Sequence, residues 1–164
     1  MKVSMWITII LIVILIFGIY WFFNQSEKEI NIVKVTNETF QHEVLESQSP
    51  VVVIFCSNEL WNRKSAPWSL KKPTPIILAI KGIIKEGQYI GKVKFRGYIV
   101  PDGSYNQTTK YFDKDSLCKE INIKWLPTVI MFENDSIIEK FEGGGCTAEE
   151  SKGQIEQELQ RILR

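Results

Sequence analysis

Trp125-Leu126-Pro127-Thr128, running into Val129-Ile130-Met131-Phe132, is the stretch on which the fold of this 164-residue chain turns. Proline cannot donate to a β-ladder, so one placed just before a β-branched run sits at the opening of a strand. A second apolar run, Ile137 to Phe141, follows across Glu133-Asn134-Asp135-Ser136. The spacing predicts an antiparallel hairpin with a four-residue loop. Gly143-Gly144-Gly145 then breaks the pattern. Thr147 and Glu150 stand at capping-box spacing, and Ile155, Leu159, Ile162 and Leu163 form one apolar stripe, so the chain is expected to end in an amphipathic helix.

Upstream, Val51-Val52-Val53-Ile54-Phe55 is apolar without alternation, as expected of a strand buried on both faces of a largely parallel sheet. Thr74-Pro75 is a helix start, with Thr as N-cap and Pro at the first helical position, where its missing N–H costs nothing. Ile76, Ile77, Ile80, Ile83 and Ile84 follow at helical spacing, and Gly87 and Gly91 punctuate the run. Val93 to Val100 reads as a second inner strand. Pro101-Asp102-Gly103 turns the chain into a polar segment, Ser104 to Lys110, and Leu117, Ile121 and Ile123 suggest a short helix before Pro127. Nearer the start, Ile32 to Val35 can form a brief edge strand. A helix is expected after Asn37 as N-cap, with Phe40, Val44 and Leu45 on one face. The order βαβαβαββα places parallel strands first and a hairpin last, which means an α/β fold with a central mixed sheet flanked by helices.

The N-terminus is different in kind. From Trp6 to Phe23 no residue is charged, and nearly all are Ile, Leu, Val or aromatic. Eighteen helical residues span about 27 Å, close to the ~30 Å hydrocarbon core of a bilayer. Trp6 at one end and Tyr20, Trp21, Phe22 and Phe23 at the other are placed as interfacial anchors. A cleaved signal peptide is the rival reading, but Tyr20 to Gln25 offers no small-residue cleavage site. The division expected is an N-terminal transmembrane helix in residues 1–23, a polar linker in 24–31 and a folded domain in 32–164. Lys2 precedes the span, whereas Glu27, Lys28 and Glu29 follow it. By the positive-inside rule this is a single-pass cell-membrane protein with its domain on the extracytoplasmic side.

A formal net charge of +1 gives no reason to expect a nucleic-acid partner. Walker-type and Gly-x-Gly-x-x-Gly loops are missing from the sequence, so nucleotide binding has no support. One histidine, His42, and three scattered cysteines do not make a standard zinc site, and no cofactor is implied.

Over roughly residues 33 to 163 this order, with its motifs, resembles the thioredoxin family. Val51 to Phe55 matches the central strand, Pro67 the proline of the helix after the active loop, and Leu126-Pro127-Thr128 the family's cis-proline step. The resemblance implies a thioredoxin fold and a cis Leu126–Pro127 bond. It also implies that the backbone of Leu126 and Pro127 faces an extended substrate or partner segment. The departures are as informative. The loop from Phe55 to Pro67 carries no Cys-x-x-Cys pair, and the two catalytic positions fall at or beside Leu60 and Arg63, enclosing Trp61 and Asn62. The family's buried acid falls at Ile54. Ser104 to Lys110 reads as an insertion. Membrane-tethered proteins of this kind also resemble accessory proteins of bacteriocin export systems.

Thioredoxin-type chemistry needs a thiolate of lowered pKa and a resolving thiol nearby. Cys56, placed after the central strand and before the loop, is the one weak catalytic candidate; its plainer reading is a small buried hydrophobe. An oxidising compartment would permit a disulfide, but Cys56, Cys118 and Cys146 allow three pairings, each leaving one thiol over, and specify none. Trp61, Trp68 and Trp125 suggest either an aromatic partner-binding patch or core packing over the shortened loop. His42, Asp102, Asp113 and Arg63 read as solvated side chains. The function expected is a membrane-anchored, non-catalytic protein-interaction or accessory role, with Leu126, Pro127 and Trp61 at the contact. The alternatives are a single-cysteine thiol–disulfide oxidoreductase using Cys56, or a bacteriocin-export-type accessory protein.

Overall fold

A computed structural model describes residues 32–58, 74–108, 111–142 and 147–164. Its elements follow the order βαβαβαββα. They are β1 (Val33–Val35), α1 (Asn37–Phe40), which runs into a π-helical turn (Gln41–Leu45), and β2 (Val51–Ser57). Then come α2 (Pro75–Glu86), β3 (Lys94–Val100), α3 (Ser116–Glu120), β4 (Thr128–Glu133), β5 (Ser136–Glu142) and α4 (Ala148–Ile162). The five strands make one mixed sheet in the order β1-β3-β2-β4-β5. β1, β3 and β2 run parallel, β4 is antiparallel to β2, and β5 to β4.

The central strand is β2, and its burial explains its composition. Val51 through Cys56 are all buried, as a strand covered on both faces requires. Alternation divides it between two cores. Val51, Val53 and Phe55 join Phe40, Val44, Tyr98, Leu117, Ile130 and Phe132 in a cluster under α1 and α3. Its aromatic rings meet edge to face: Phe40 lies 5.6 Å from Phe132 at 80°, and 6.4 Å from Tyr98 at 89°. Val52, Ile54 and Cys56 face the opposite way, towards the side on which α2 and α4 pack together. Ile80 and Ile83 of α2 and Ile155 and Leu159 of α4 are fully buried there.

The helix ends obey local chemistry. Thr74 is extended (φ −66°, ψ 144°) with Pro75 as the first helical residue, and the Thr74 carbonyl accepts from Ile77 and Leu78 N–H. Gly87 closes α2 at φ +75°, a left-handed cap that glycine adopts without steric cost. At α4, Thr147 Oγ1 accepts from Glu150 N–H (3.2 Å) and Glu150 Oε2 from Thr147 N–H (2.8 Å), the reciprocal capping box.

Three expectations need correction. Thr36, not Asn37, is the N-cap of α1: its N–H donates to Thr39 Oγ1 at 2.9 Å, and Asn37 is already helical. The hairpin loop has two residues, not four. Asn134 and Asp135 take φ +48° and +67°, the left-handed region that short polar side chains tolerate, so Glu133 and Ser136 pair with each other. Finally, Leu163 lies just beyond α4 with over a third of its surface exposed, so the buried stripe is Ser151, Ile155 and Leu159.

Candidate functional site

The parallel strands β2 and β3 end together, with Ser57 beside Val100. At the same end β4 begins, with Thr128 opposite Phe55. Loops leaving and entering one end of a sheet create the concave rim where α/β folds hold their ligands. Among the described residues the rim is built from the end of β2, residues 101–108 and 111–115 after β3, and Trp125 to Pro127 before β4.

Cys56 is the last fully buried residue of β2, inside the strand and not after it, with none of its surface exposed. Burial pushes its thiol up to about 12, against a small opposing effect of the Lys34 ammonium. A thiol in that state stays protonated at neutral pH. The Leu126–Pro127 bond is cis. In the β2–β4 register Phe55 faces Thr128, so one step further brings Cys56 across from Pro127. Pro127 is buried, and Thr128 turns its hydroxyl back to donate to the Trp125 carbonyl at 2.6 Å. Leu126 is half-buried and packs on the α1/α3 core. Trp125 is 60 % exposed, so the core-packing alternative does not describe it.

Residues 101–108 and 111–115 are joined by hydrogen bonds. Asn106 N–H donates to the Tyr111 carbonyl at 2.8 Å, Asn106 Nδ2 to Asp113 Oδ2 at 3.2 Å, and Lys114 N–H to the Ser104 carbonyl at 3.3 Å. Tyr105 and Phe112 pack with ring centroids 5.1 Å apart and tilted at 59°, and Lys124 Nζ lies 5.6 Å from the centroid of the Tyr111 ring. Phe112 N–H donates to the Ile123 carbonyl, and its ring reaches the core. The described part of this polar segment is therefore held by an aromatic pair and by the bond from Phe112 to Ile123.

Below the rim is a buried polar cluster that the sequence did not flag. Asp115, the N-cap of α3, accepts from Cys118 N–H at 2.8 Å and from the Tyr98 hydroxyl at 2.8 Å. Asn37 is 2.7 Å from the same hydroxyl. A phenol has one proton, so the set closes with that proton on Asp115 and the Asn37 amide turned to donate through Nδ2. Burial, then the hydrogen bond and charge of Asp115, push the Tyr98 hydroxyl far up. Burial and Asp115 do the same to the Cys118 thiol. Asp-x-x-Cys ahead of a short helix is the only hint of this in the sequence, and it points to a cap, not to a network. On β3, Arg96 donates from Nε (3.1 Å) and from its NH2 nitrogen (2.9 Å) to Glu43 Oε2 in the π-turn. His42 is exposed, 3.3 Å from Glu46, and Asp102 is exposed.

The structure places Cys56 near the end of β2 and Leu126 and Pro127 just before the start of β4, the strand paired with it. Leu60, Trp61, Asn62, Arg63, Pro67, Trp68, Cys146 and the apolar span 6–23 lie outside the described residues. Cys56 and Cys118 are free thiols. Among the described residues no group of three or more His, Cys, Asp or Glu side chains is placed to hold a metal. No described helix is long and apolar enough to cross a membrane. No protein-family model and no curated protein matches this sequence.

Proposed function

We propose that this chain is a membrane-anchored, thioredoxin-like domain that holds a protein segment at the β2/β4 end of its sheet and performs no dithiol exchange. The β1-β3-β2-β4-β5 order, with a proline opening β4 opposite the end of β2, supports the thioredoxin-like reading. The uncharged span 6–23 supports the anchor, and the charges around it support an extracytoplasmic domain.

One observation carries the non-catalytic reading: the burial of Cys56. An attacking thiolate must be both ionised and reachable, and Cys56 is neither, while positions 60–63 read Leu-Trp-Asn-Arg. Before β4, Trp125 offers an exposed indole, and the next residue, Leu126, is half-buried. Large aromatic side chains of this kind anchor protein contacts.

The test joins two assays on the full chain in nanodiscs and in cells. Insulin reduction with dithiothreitol should stay at background. A photo-crosslinking residue in place of Trp125 should capture a defined protein in cells expressing the chain, and one in place of Asp135, at the far end of the sheet, should not. Turnover that disappears in Cys56→Ser would establish the oxidoreductase reading instead.

A further inference from the structure

Trp125 sits on a short bridge of backbone between two fixed points. Upstream, Ile123 N–H donates to the Cys118 carbonyl at 2.8 Å, and the Ile123 carbonyl accepts from Phe112 N–H at 3.3 Å. The Asn122 carbonyl accepts from Lys140 Nζ at 2.6 Å. Downstream, Thr128 pairs with Phe55 on one side and with Glu142 on the other. Residues 124–127 connect the two. Pro127 has no N–H with which to close a turn onto an upstream carbonyl. The Trp125 side chain, mostly in solvent, gains little from packing.

A side chain closes the bridge instead. Thr128 Oγ1 donates to the Trp125 carbonyl at 2.6 Å, reaching back three residues over Leu126 and Pro127. Thr128 is fully buried. Alternation along β4 puts its side chain on the face of Ile130 and Phe132, both members of the cluster under α1 and α3. A hydroxyl buried there without an acceptor would be costly. Valine has nearly the same shape and suits a strand as well, so packing and propensity accept either residue. What threonine adds is one hydrogen bond, and it goes to the backbone of the residue whose indole is offered to solvent.

We infer that Thr128 is a positioning residue for the Trp125 contact: its hydroxyl fixes the Trp125 carbonyl, and with it the direction in which the indole leaves the rim. The inference rests on the protein contact proposed above and adds to it a residue that touches no partner itself. A peptide unit is planar, so holding the Trp125 carbonyl holds the whole plane between Trp125 and Leu126. Leu126, packed on the core, holds the far side of that plane. The Cα–Cβ bond of Trp125 is then set relative to the sheet. Without the hydroxyl the plane can turn, and the indole divides its time among several directions. A partner that meets one of them binds more weakly in proportion to the fraction lost.

The test uses the full chain in cells, with a photo-crosslinking residue in place of Trp125, and thermal melts of each variant. Thr128→Val and Thr128→Ala should each lower the capture yield about fivefold, the population change that follows loss of one hydrogen bond of typical net strength. Thr128→Ser keeps the hydroxyl and should keep the parent's yield. Glu43→Ala is the control for stability alone: Glu43 bonds Arg96 near the start of β3, at the opposite end of that strand from the rim, and its loss should leave capture unchanged. Parent-level capture by Thr128→Val and Thr128→Ala would overturn the positioning role and leave the contact standing. So would an equal fall in Thr128→Ser, or in Glu43→Ala at a matched melting temperature. A parent chain that captures no protein would overturn the contact and the positioning role together.

Discussion

The Tyr98 hydroxyl donates to Asp115 Oδ2 at 2.8 Å, joining the middle of β3 to the N-cap of α3 inside the core. Asp115 is 5 % exposed and Tyr98 2 %. A carboxylate so placed needs its donors, and it has them in the phenol and in Cys118 N–H. The pair therefore ties the start of α3 to the sheet.

Tyr98→Phe removes one donor and leaves the carboxylate under-satisfied, a loss of about 1–3 kcal/mol. Asp115→Ala removes the cap as well as the partner of the phenol, and should cost about 2–4 kcal/mol. Urea unfolding measures both. Equal stability of Tyr98→Phe and the parent would show that the hydrogen bond contributes nothing net.

The domain should lose stability in alkali. Cys56, Cys118 and Tyr98 are all raised in the fold, so each favours folding below its unfolded pKa and loses that contribution as pH climbs towards the folded value. For Cys56 the window opens near 9 and closes near 12. Within it each group contributes a slope of about 1.4 kcal/mol per pH unit. Cys56→Ala should flatten the fall measured between about pH 9 and 11. An unchanged slope would mean that Cys56 ionises in the folded state as readily as in the unfolded one.

In the native protein at neutral pH, iodoacetamide should leave Cys56 and Cys118 unmodified until the chain unfolds. Both are buried, and both thiols are held protonated. Mass spectrometry of the alkylated protein reads each site separately. Fast native labelling of Cys56 would contradict the burial on which the non-catalytic reading rests.

Trp125→Ala should change stability by no more than about 0.5 kcal/mol, because the side chain is mostly in solvent. Leu126→Ala, half-buried against the core, should cost more. Thermal melts of the two variants separate a surface residue available for contact from one that holds the rim in place.

Glu43→Ala leaves the Arg96 guanidinium, whose side chain is 15 % exposed, without its carboxylate. The loss should be about 1–2 kcal/mol, between the values for exposed and for fully buried pairs. Adding Arg96→Met should restore part of it, since the uncompensated charge is then gone. A double variant less stable than Glu43→Ala would mean that the arginine stem's packing outweighs its unpaired charge.

Elements whose signal is local were legible in the sequence. The apolar run of β2, Thr74-Pro75 at α2 and the Thr147/Glu150 box at α4 each depend on residues a few positions apart, and each formed where expected. The element order βαβαβαββα follows the alternation of runs and breaks, whereas the strand order β1-β3-β2-β4-β5 belongs to the folded sheet. Elsewhere the local signal was ambiguous. Thr36 and Asn37 are both good caps, and the choice fell to Thr36 because Asn37 enters the helix beside the Tyr98 hydroxyl, a contact 61 residues away in the chain. Asn134-Asp135 makes a two-residue turn because β4 and β5 pair to their ends, which propensity alone does not settle.

The candidate site divides in the same way. Sequence pattern alone identified Pro127 as the opening of β4 and Cys56 as a small residue near the end of β2. It could not set Phe55 opposite Thr128, because register belongs to the pairing of two strands about 70 residues apart. Nor could it choose between burial and exposure for Trp125, since a large aromatic residue suits both. The Asp115–Tyr98 bond and the Arg96–Glu43 pair were beyond reach for the same reason: their partners meet only once the sheet has formed, and polar residues carry no periodicity that announces a distant partner.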